Sequence, residues 1–305
     1  MRKSLPSKGF TWLIIVSMAV FIFSCGENVR AQAGGKSALR VIMIGAHPDD
    51  TEGKGGGTAA LWAATGAKVM MVSVTNGDAG HQSEGGGALA QRRAEECRAA
   101  ARILGVNWST LDFHDGELEP NLAARSAVIR AIREWQADIV ITHRPCDYHP
   151  DHRYTGQIVQ DAAYMVVVPN ICPDTPRLEK NPVFMYFADR FQKPYPTKPD
   201  VVVDITPVID KKLRAFDVMP SQMYEWLPWV GGRLDQVPKN PAERFEWLKK
   251  RRSGRTRGWK NKYADIVEAR YGKARSEKID HIEVFELCEY GRQPNREELW
   301  GMFPK

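Results

Sequence analysis

The sequence predicts an α/β protein with a mostly parallel, doubly wound sheet and an elaborated C-terminal half. Three observations lead there. From residue 38 onward, short apolar runs alternate with helix-like stretches. The runs are apolar along nearly their whole length, as strands buried on both faces are. The β-α-β-α order calls for right-handed crossovers and parallel neighbours.

Leu39 to Ile44 reads as the first strand. A Gly-rich turn then leads into a helix near Thr58 to Ala64. Lys68 to Val74 is a second buried strand. Leu89 to Leu104 is a helix stopped by Gly105. Thr110 to Phe113 is a short strand. Leu122 to Trp135 is an amphipathic helix, with Leu122, Val128, Ile129, Ile132 and Trp135 on its apolar side. Asp138 to Thr142 is the fourth strand. After Asp151 the pattern loosens. A helix covers Thr155 to Tyr164, and Val183 to Phe187, Val201 to Ile205 and Ile282 to Leu287 read as later strands. No linker interrupts residues 38–305, so they read as one domain.

Residues 1–24 read as an export signal. Arg2, Lys3 and Lys8 precede an apolar stretch from Phe10 to Phe23, which is short for a spanning helix. Ile22-Phe23-Ser24-Cys25 resembles a lipobox, and Ala31-Gln32-Ala33 offers a second cleavage site. The expectation is an exported, periplasmic or outer-membrane-anchored lipoprotein attached through lipidated Cys25, ahead of secretion in free form. Residues 25–37 are then a small, polar linker. Cys97, Cys146, Cys172 and Cys288 would face an oxidising space, which permits disulfides without demanding them. No C-x-x-C pair points to a thiolate zinc site.

The formal net charge of +6 invites a nucleic-acid or membrane-surface reading. That reading does not survive. Three positive charges leave with the signal, and Lys249 to Lys262 alone holds eight basic residues and no acidic one. The rest of the mature chain is mildly acidic, and no nucleic-acid module is present. The basic run reads as a solvated face ahead of an anion-binding one. Trp226, Trp229, Trp247 and Trp259 are suited to stacking on sugars, although core packing is the commoner use of tryptophan.

Two polar clusters fall at strand ends, where open α/β sheets bind ligands. Ala46-His47-Pro48-Asp49-Asp50 follows the first strand. His143-Arg144-Pro145-Cys146-Asp147-Tyr148-His149-Pro150-Asp151-His152 follows the fourth. One imidazole and one carboxylate from the first loop, with an imidazole from the second, make a mononuclear metal site with an open position for water. A second carboxylate is left to take the water's proton, and a further histidine to stabilise the oxyanion. A lone His-Pro-Asp is usually a loop whose Asp caps the next helix; two such clusters on two buried strands favour chemistry. His81 is a fifth histidine near this edge, with His47, His143, His149 and His152. The glycines at 53, 55, 56 and 57 fit no nucleotide loop. Thr58 stands where G-x-G-x-x-G needs glycine, and Lys54 is followed by Gly55.

These clusters resemble the PIG-L (LmbE-like) N-acetylglucosaminyl deacetylase family over roughly residues 38–210. The other matching pieces are Val74-Thr75-Asn76-Gly77-Asp78-Ala79-Gly80-His81, Arg93-x-x-Glu96 ahead of Leu104-Gly105-Val106, and Asp115-Gly116. The resemblance implies a Rossmann-like fold without a nucleotide. It implies a zinc-dependent hydrolase that removes an N-acetyl group from an amino sugar or glycoconjugate. His47, Asp50 and His152 would hold Zn2+, or another divalent ion. Asp49 would be the base on the metal's water. His149 would stabilise the oxyanion or act as acid, Asp151 would orient His149, and Arg93 and Asp115 would contact the sugar. The family often carries a histidine shortly before Ser-Gln in its C-terminal half; here Met219 precedes Pro220-Ser221-Gln222. Two other readings stand beside this one. One is an exported glycan-binding lipoprotein with a vestigial site, and the other a metal hydrolase of a different amide or ester.

Overall fold

The computed structural model describes Met1 and residues 38–305. The apolar N-terminal run, Cys25 and the stretch 25–37 lie outside the described residues. The sheet is built from β1 (Arg40–Gly45), β2 (Lys68–Thr75), β3 (Asn107–Phe113), β4 (Ile139–Thr142), β5 (Val183–Phe187), β6 (Val201–Asp204) and β7 (Ile282–Gly291). Their order across the sheet is β3-β2-β1-β4-β5-β7-β6. The first five strands run parallel, and β7 lies antiparallel between β5 and β6. The expected mostly parallel α/β sheet is therefore present.

The chain steps outward from β1 to β2 and β3, then returns to the other side of β1 for β4. That reversal is the topological switch point of a doubly wound sheet. It places the loops after β1 and β4 side by side, since Ile44 of β1 pairs with Thr142 of β4.

Alternation along the strands fills two main cores, with a third, smaller cluster of Val202, Val267, Ile279, Ile282 and Val284 at the β6–β7 edge. Val41, Met43, Met71, Ile139 and Ile141 face one side, packed by α1 (Asp50–Ala64), α2 (Gly86–Leu104) and α5 (Ile209–Asp217). Ile42, Ile44, Val72, Val74 and Val140 face the other, under α3 (Leu122–Trp135) and α4 (Pro150–Met165). Gly105 ends α2 at φ 82°, in the left-handed region that glycine enters without strain. In α3, Val128, Ile129 and Ile132 are fully buried, whereas Leu122 is 67% exposed. Leu122 is the first residue after the Asn121 cap, so it overhangs the sheet instead of packing on it.

Three helices begin earlier than the sequence suggests, α2 by three residues, at Gly86 rather than Leu89, and α1 and α4 by more. The Gly-rich turn is itself the first half of α1, which starts at Asp50 rather than near Thr58. These glycines are required by close packing. A Cβ on Gly57 would stand 2.8 Å from the Ile205 side chain, and one on Gly55 3.0 Å from Met43. The helix α4 starts at Pro150, because proline suits the first helical position and His149 supplies the cap.

The C-terminal half adds a π-helical turn at Ser221–Trp226, then α6 (Leu227–Val230), α7 (Pro241–Lys262), α8 (Ala264–Tyr271), α9 (Lys273–Ser276) and α10 (Arg296–Met302). The basic run is the second half of α7. Cys97, Cys146, Cys172 and Cys288 are free thiols.

A buried ion pair ties this half to α1. Lys212 Nζ donates to Glu283 Oε1 at 2.5 Å and to the Gly53 carbonyl at 2.9 Å. The Glu283 carboxylate accepts the N–H groups of Gly57 and Thr58 at 2.9 and 2.7 Å. Lys212→Met leaves the Glu283 charge buried without its cation. We expect a loss of about 3–5 kcal/mol, read as a lower urea midpoint. An unchanged midpoint would show the pair to be energetically idle.

Candidate metal centre

Two short loops carry the polar groups, and their backbone geometry decides which side chains meet. After β1 the chain turns at Asp49, whose φ is 149°. That is strained for a residue with a side chain, and such strain persists where the surroundings over-determine it. Asp49 occupies the N-cap position of α1 but makes no side-chain capping hydrogen bond. The simple reading of a helix-capping aspartate therefore fails here. Its neighbour Asp50 folds back instead, accepting the His47 N–H at 2.8 Å.

Across the switch point, His152 stands in the first turn of α4. Its Nε2 lies 3.1 Å from His47 Nδ1 and 3.3 Å from Asp50 Oδ2, and His47 Nδ1 is 3.5 Å from the same oxygen. Three donor atoms thus form a nearly equilateral triangle. Zinc–ligand bonds of about 2.0–2.1 Å in a tetrahedron require edges of about 3.3 Å. The residues fit a divalent cation on this test. The donor chemistry agrees, since two imidazoles facing each other need a cation or a proton between them. Of the overlapping His/Asp groups near here, this one puts two members, Asp50 and His152, on the cavity wall, whereas the His143–Asp147–His152 group puts only His152 there.

Around the triangle stands a ring of carboxylates. Asp147 Oδ1 lies 3.0 Å from His152 Nδ1, off the line of its N–H. His47 Nε2 faces Asp115 Oδ1 at 3.1 Å and Asp151 Oδ2 at 3.3 Å. Carboxylates behind ligating imidazoles fix ring orientation and raise ligand basicity. Burial opposes a charge on His152, yet Asp50 and Asp147 push it up to about 9. Burial likewise works against the Asp50 charge, but the charge of His152 holds that carboxyl well below the usual range. Burial and then the charge of Asp50 push Asp49 the other way, upward. The protons held by His47 and His152 are those a divalent cation would displace.

His149 Nδ1 accepts the Asp151 backbone N–H at 3.2 Å. A neutral ring must then carry its proton on Nε2, the outer nitrogen. Burial, followed by the charge of His47, lowers its pKa and favours that neutral form. The ring stands edge-on to His47, with centroids 4.5 Å apart.

The sequence-predicted residues do not all land on the cavity wall. Asp49, Asp50 and His152 line a cavity of about 470 Å³, whereas His47, His149 and Asp151 stand outside its lining. The Asp151 carboxylate turns to His47 and the Gly116 N–H, so only its backbone meets His149. Arg93 is 2% exposed. Its guanidinium bonds the carbonyls of Gly77 and Pro48 and the Asp115 carboxylate, pinning three loops beneath the site. Glu96, one turn on, accepts from the Ser221 N–H and hydroxyl, and Met219 is fully buried in the apolar core.

Two residues of the second cluster have no role assigned from sequence. One is Asp147, the carboxylate behind His152. The other is His143, whose Nε2 accepts the Ala46 N–H at 3.0 Å and whose ring stacks on His152 at 4.2 Å. Burial drops His143 to about 3, so it is a neutral wedge holding the two loops at one height. Its place directly after a buried strand, matching that of His47, was the available signal.

Residues 42–163 match the family profile described as PIG-L: GlcNAc-PI de-N-acetylase. The chain is 33% identical to the diacetylchitobiose deacetylase of Thermococcus kodakarensis, covering 62% of this chain and 73% of that protein. It is 27% identical to the 4-oxalmesaconate hydratase of Pseudomonas putida, covering 66% and 80% respectively. Among solved structures, N,N'-diacetylchitobiose deacetylase from Pyrococcus horikoshii superposes with a TM-score of 0.60 at 26% identity. That match covers 83% of this chain and 85% of the other.

Proposed function

This chain belongs to the PIG-L de-N-acetylase family, and from that premise we propose that it is a zinc-dependent amino-sugar deacetylase using Asp49 as its base. The observation that carries the reading is the His47–Asp50–His152 triangle beside an uncapped, strained Asp49. His47, Asp50 and His152 would hold the ion. When bound there, a divalent ion supplies Lewis acidity that makes water nucleophilic near neutral pH and polarises the amide carbonyl.

The remaining work falls to the protein. Asp49 takes the proton of the attacking water, and its raised pKa keeps that proton available for transfer. His149, with its proton on Nε2, donates to the tetrahedral oxyanion or to the leaving amine. Asp151 and Asp115 hold His47 in place, and Asp147 holds His152. Arg93 keeps the Asp49 loop against the Gly77 loop.

The purified protein is expected to bind about one divalent ion per chain, measured by elemental analysis. It is expected to release acetate from N-acetylated mono- or oligosaccharides. The hydratase likeness favours a second reading, in which the same donor set activates water for addition to a carbon–carbon double bond. Metal binding without acetate release from any N-acetylated saccharide would favour that alternative and overturn the deacetylase.

A further inference from the structure

The basic half of α7 does not simply face solvent. Arg251, Arg252 and Arg255 form part of the wall of the cavity that Asp49, Asp50 and His152 border. Arg190, from the loop after β5, joins them. Helical spacing explains the convergence, since positions 251, 252 and 255 share one side of α7. Two of the arginines are held in position by aromatic rings. Arg251 lies 4.9 Å from the Trp247 ring centroid, and Arg252 lies 5.5 Å from that of Phe216. Arg252 also donates to Met223 Sδ at 3.0 Å.

What these arginines lack is an anion. Every other cation on the wall is paired: Lys212 with Glu283, and Lys54 with Asp147 at 3.9 Å. Among the described residues, no carboxylate lies within 4.0 Å of the guanidinium of Arg190, Arg251, Arg252 or Arg255. Burial and then mutual repulsion lower Arg252 to about 10. Arg255 is likewise lowered, by burial and then by Arg190. Clustered guanidiniums repel one another unless an oxyanion meets them, and here Arg252 is half-buried while Arg190, Arg251 and Arg255 stay open to solvent and to a ligand. The cluster is also near the chemistry, since Arg252 and Asp49 each feel the other's charge. A smaller cavity of about 240 Å³ continues past Arg190 and Arg255 to Trp259 and Lys262.

We propose that this enzyme's substrate is an anionic N-acetylated saccharide, whose carboxylate, sulfate or phosphate is bound by Arg252, Arg255 and Arg190 while its N-acetyl group lies at the metal centre. The proposal rests on the deacetylase reading for its second half only. Arginine forks match all three oxyanions, so the shared chemistry is a planar or tetrahedral anion within a sugar's length of the amide.

Acetate release is compared for N-acetylglucosamine 6-sulfate, N-acetylglucosamine 6-phosphate and N-acetylmuramic acid against neutral N-acetylglucosamine and N,N'-diacetylchitobiose. We expect kcat/KM to favour at least one anionic sugar by about tenfold or more, with the favoured arm naming the anion. Arg252→Gln combined with Arg255→Gln should erase that ratio. Lys250→Gln combined with Arg257→Gln removes the same charge from α7 outside the cavity lining and should keep it. A ratio near one in the wild type, or one unmoved by the arginine pair, overturns the proposal.

Calorimetric binding of glucosamine 6-sulfate and glucosamine 6-phosphate, at low and high salt, separates the two readings. Salt-sensitive binding lost in the arginine pair supports the anion site even if no acetate is released, an outcome that would sink the deacetylase alone. Acetate release without charge preference, together with no such binding, sinks the anion site alone.

Discussion

Asp49→Asn is expected to lower kcat by about 10²–10⁴-fold while leaving the bound metal in place. The substitution keeps the size and shape of the side chain and removes only its capacity to accept a proton. Asp49 neither caps α1 nor belongs to the donor triangle, so its loss should not loosen either. Its closest ionic neighbour, Arg93, sits 3.7 Å away and remains tied to Pro48, Gly77 and Asp115. The measurement is acetate release beside metal content and thermal melting of the same preparation. Turnover within twofold of the wild type would remove Asp49 from the mechanism. Metal loss in this variant would instead place Asp49 among the ligands.

The second large effect divides the histidines. His47→Ala or His152→Ala removes one corner of the triangle, and both should lose the metal and, with it, turnover. His149→Ala should keep the metal. Its kcat should nonetheless fall by about 10²–10³-fold, the usual result of deleting an oxyanion donor. Two distances support this split. His47 and His152 nitrogens meet at 3.1 Å, whereas the inner nitrogen of His149 is occupied by the Asp151 N–H. Equal metal loss in all three variants would contradict it.

Much of this is legible in the sequence alone. β1, β4 and β5 are readable because strands buried on both faces are apolar along nearly their whole length, whereas β3 is half-exposed and only its Thr110 to Phe113 end stands out. The place of the site followed from two polar clusters at strand ends. What sequence could not settle was direction. In the run from His143 to His152 spacing alone does not say which imidazole turns inward. The deciding facts are the Pro150 start of α4 and the Ala46–His143 bond. The first half of α1 was missed because glycines normally weaken helices. Here they are needed for contact with Ile205 and Met43, which only the tertiary fold reveals. The basic run of α7 was read as solvated because its charges occur on all sides of the helix. Which side meets a cavity depends on how α7 docks, and that is set by Leu248 and Thr256, its two buried residues.

The Glu283 carboxylate, which accepts the N–H groups of Gly57 and Thr58 from 226 and 225 residues away, bears on how such a protein can be divided. The family-matched stretch ends at residue 163, inside α4 and before β5, α5 and β7. It therefore contains the donor triangle but neither Lys212 nor Glu283. A fragment cut there would expose the flank of β4 and leave polar backbone in α1 unanswered. The matched segment carries the candidate metal centre but is not a unit that stands alone. Any transplant or minimal version of this catalyst has to carry its C-terminal half along.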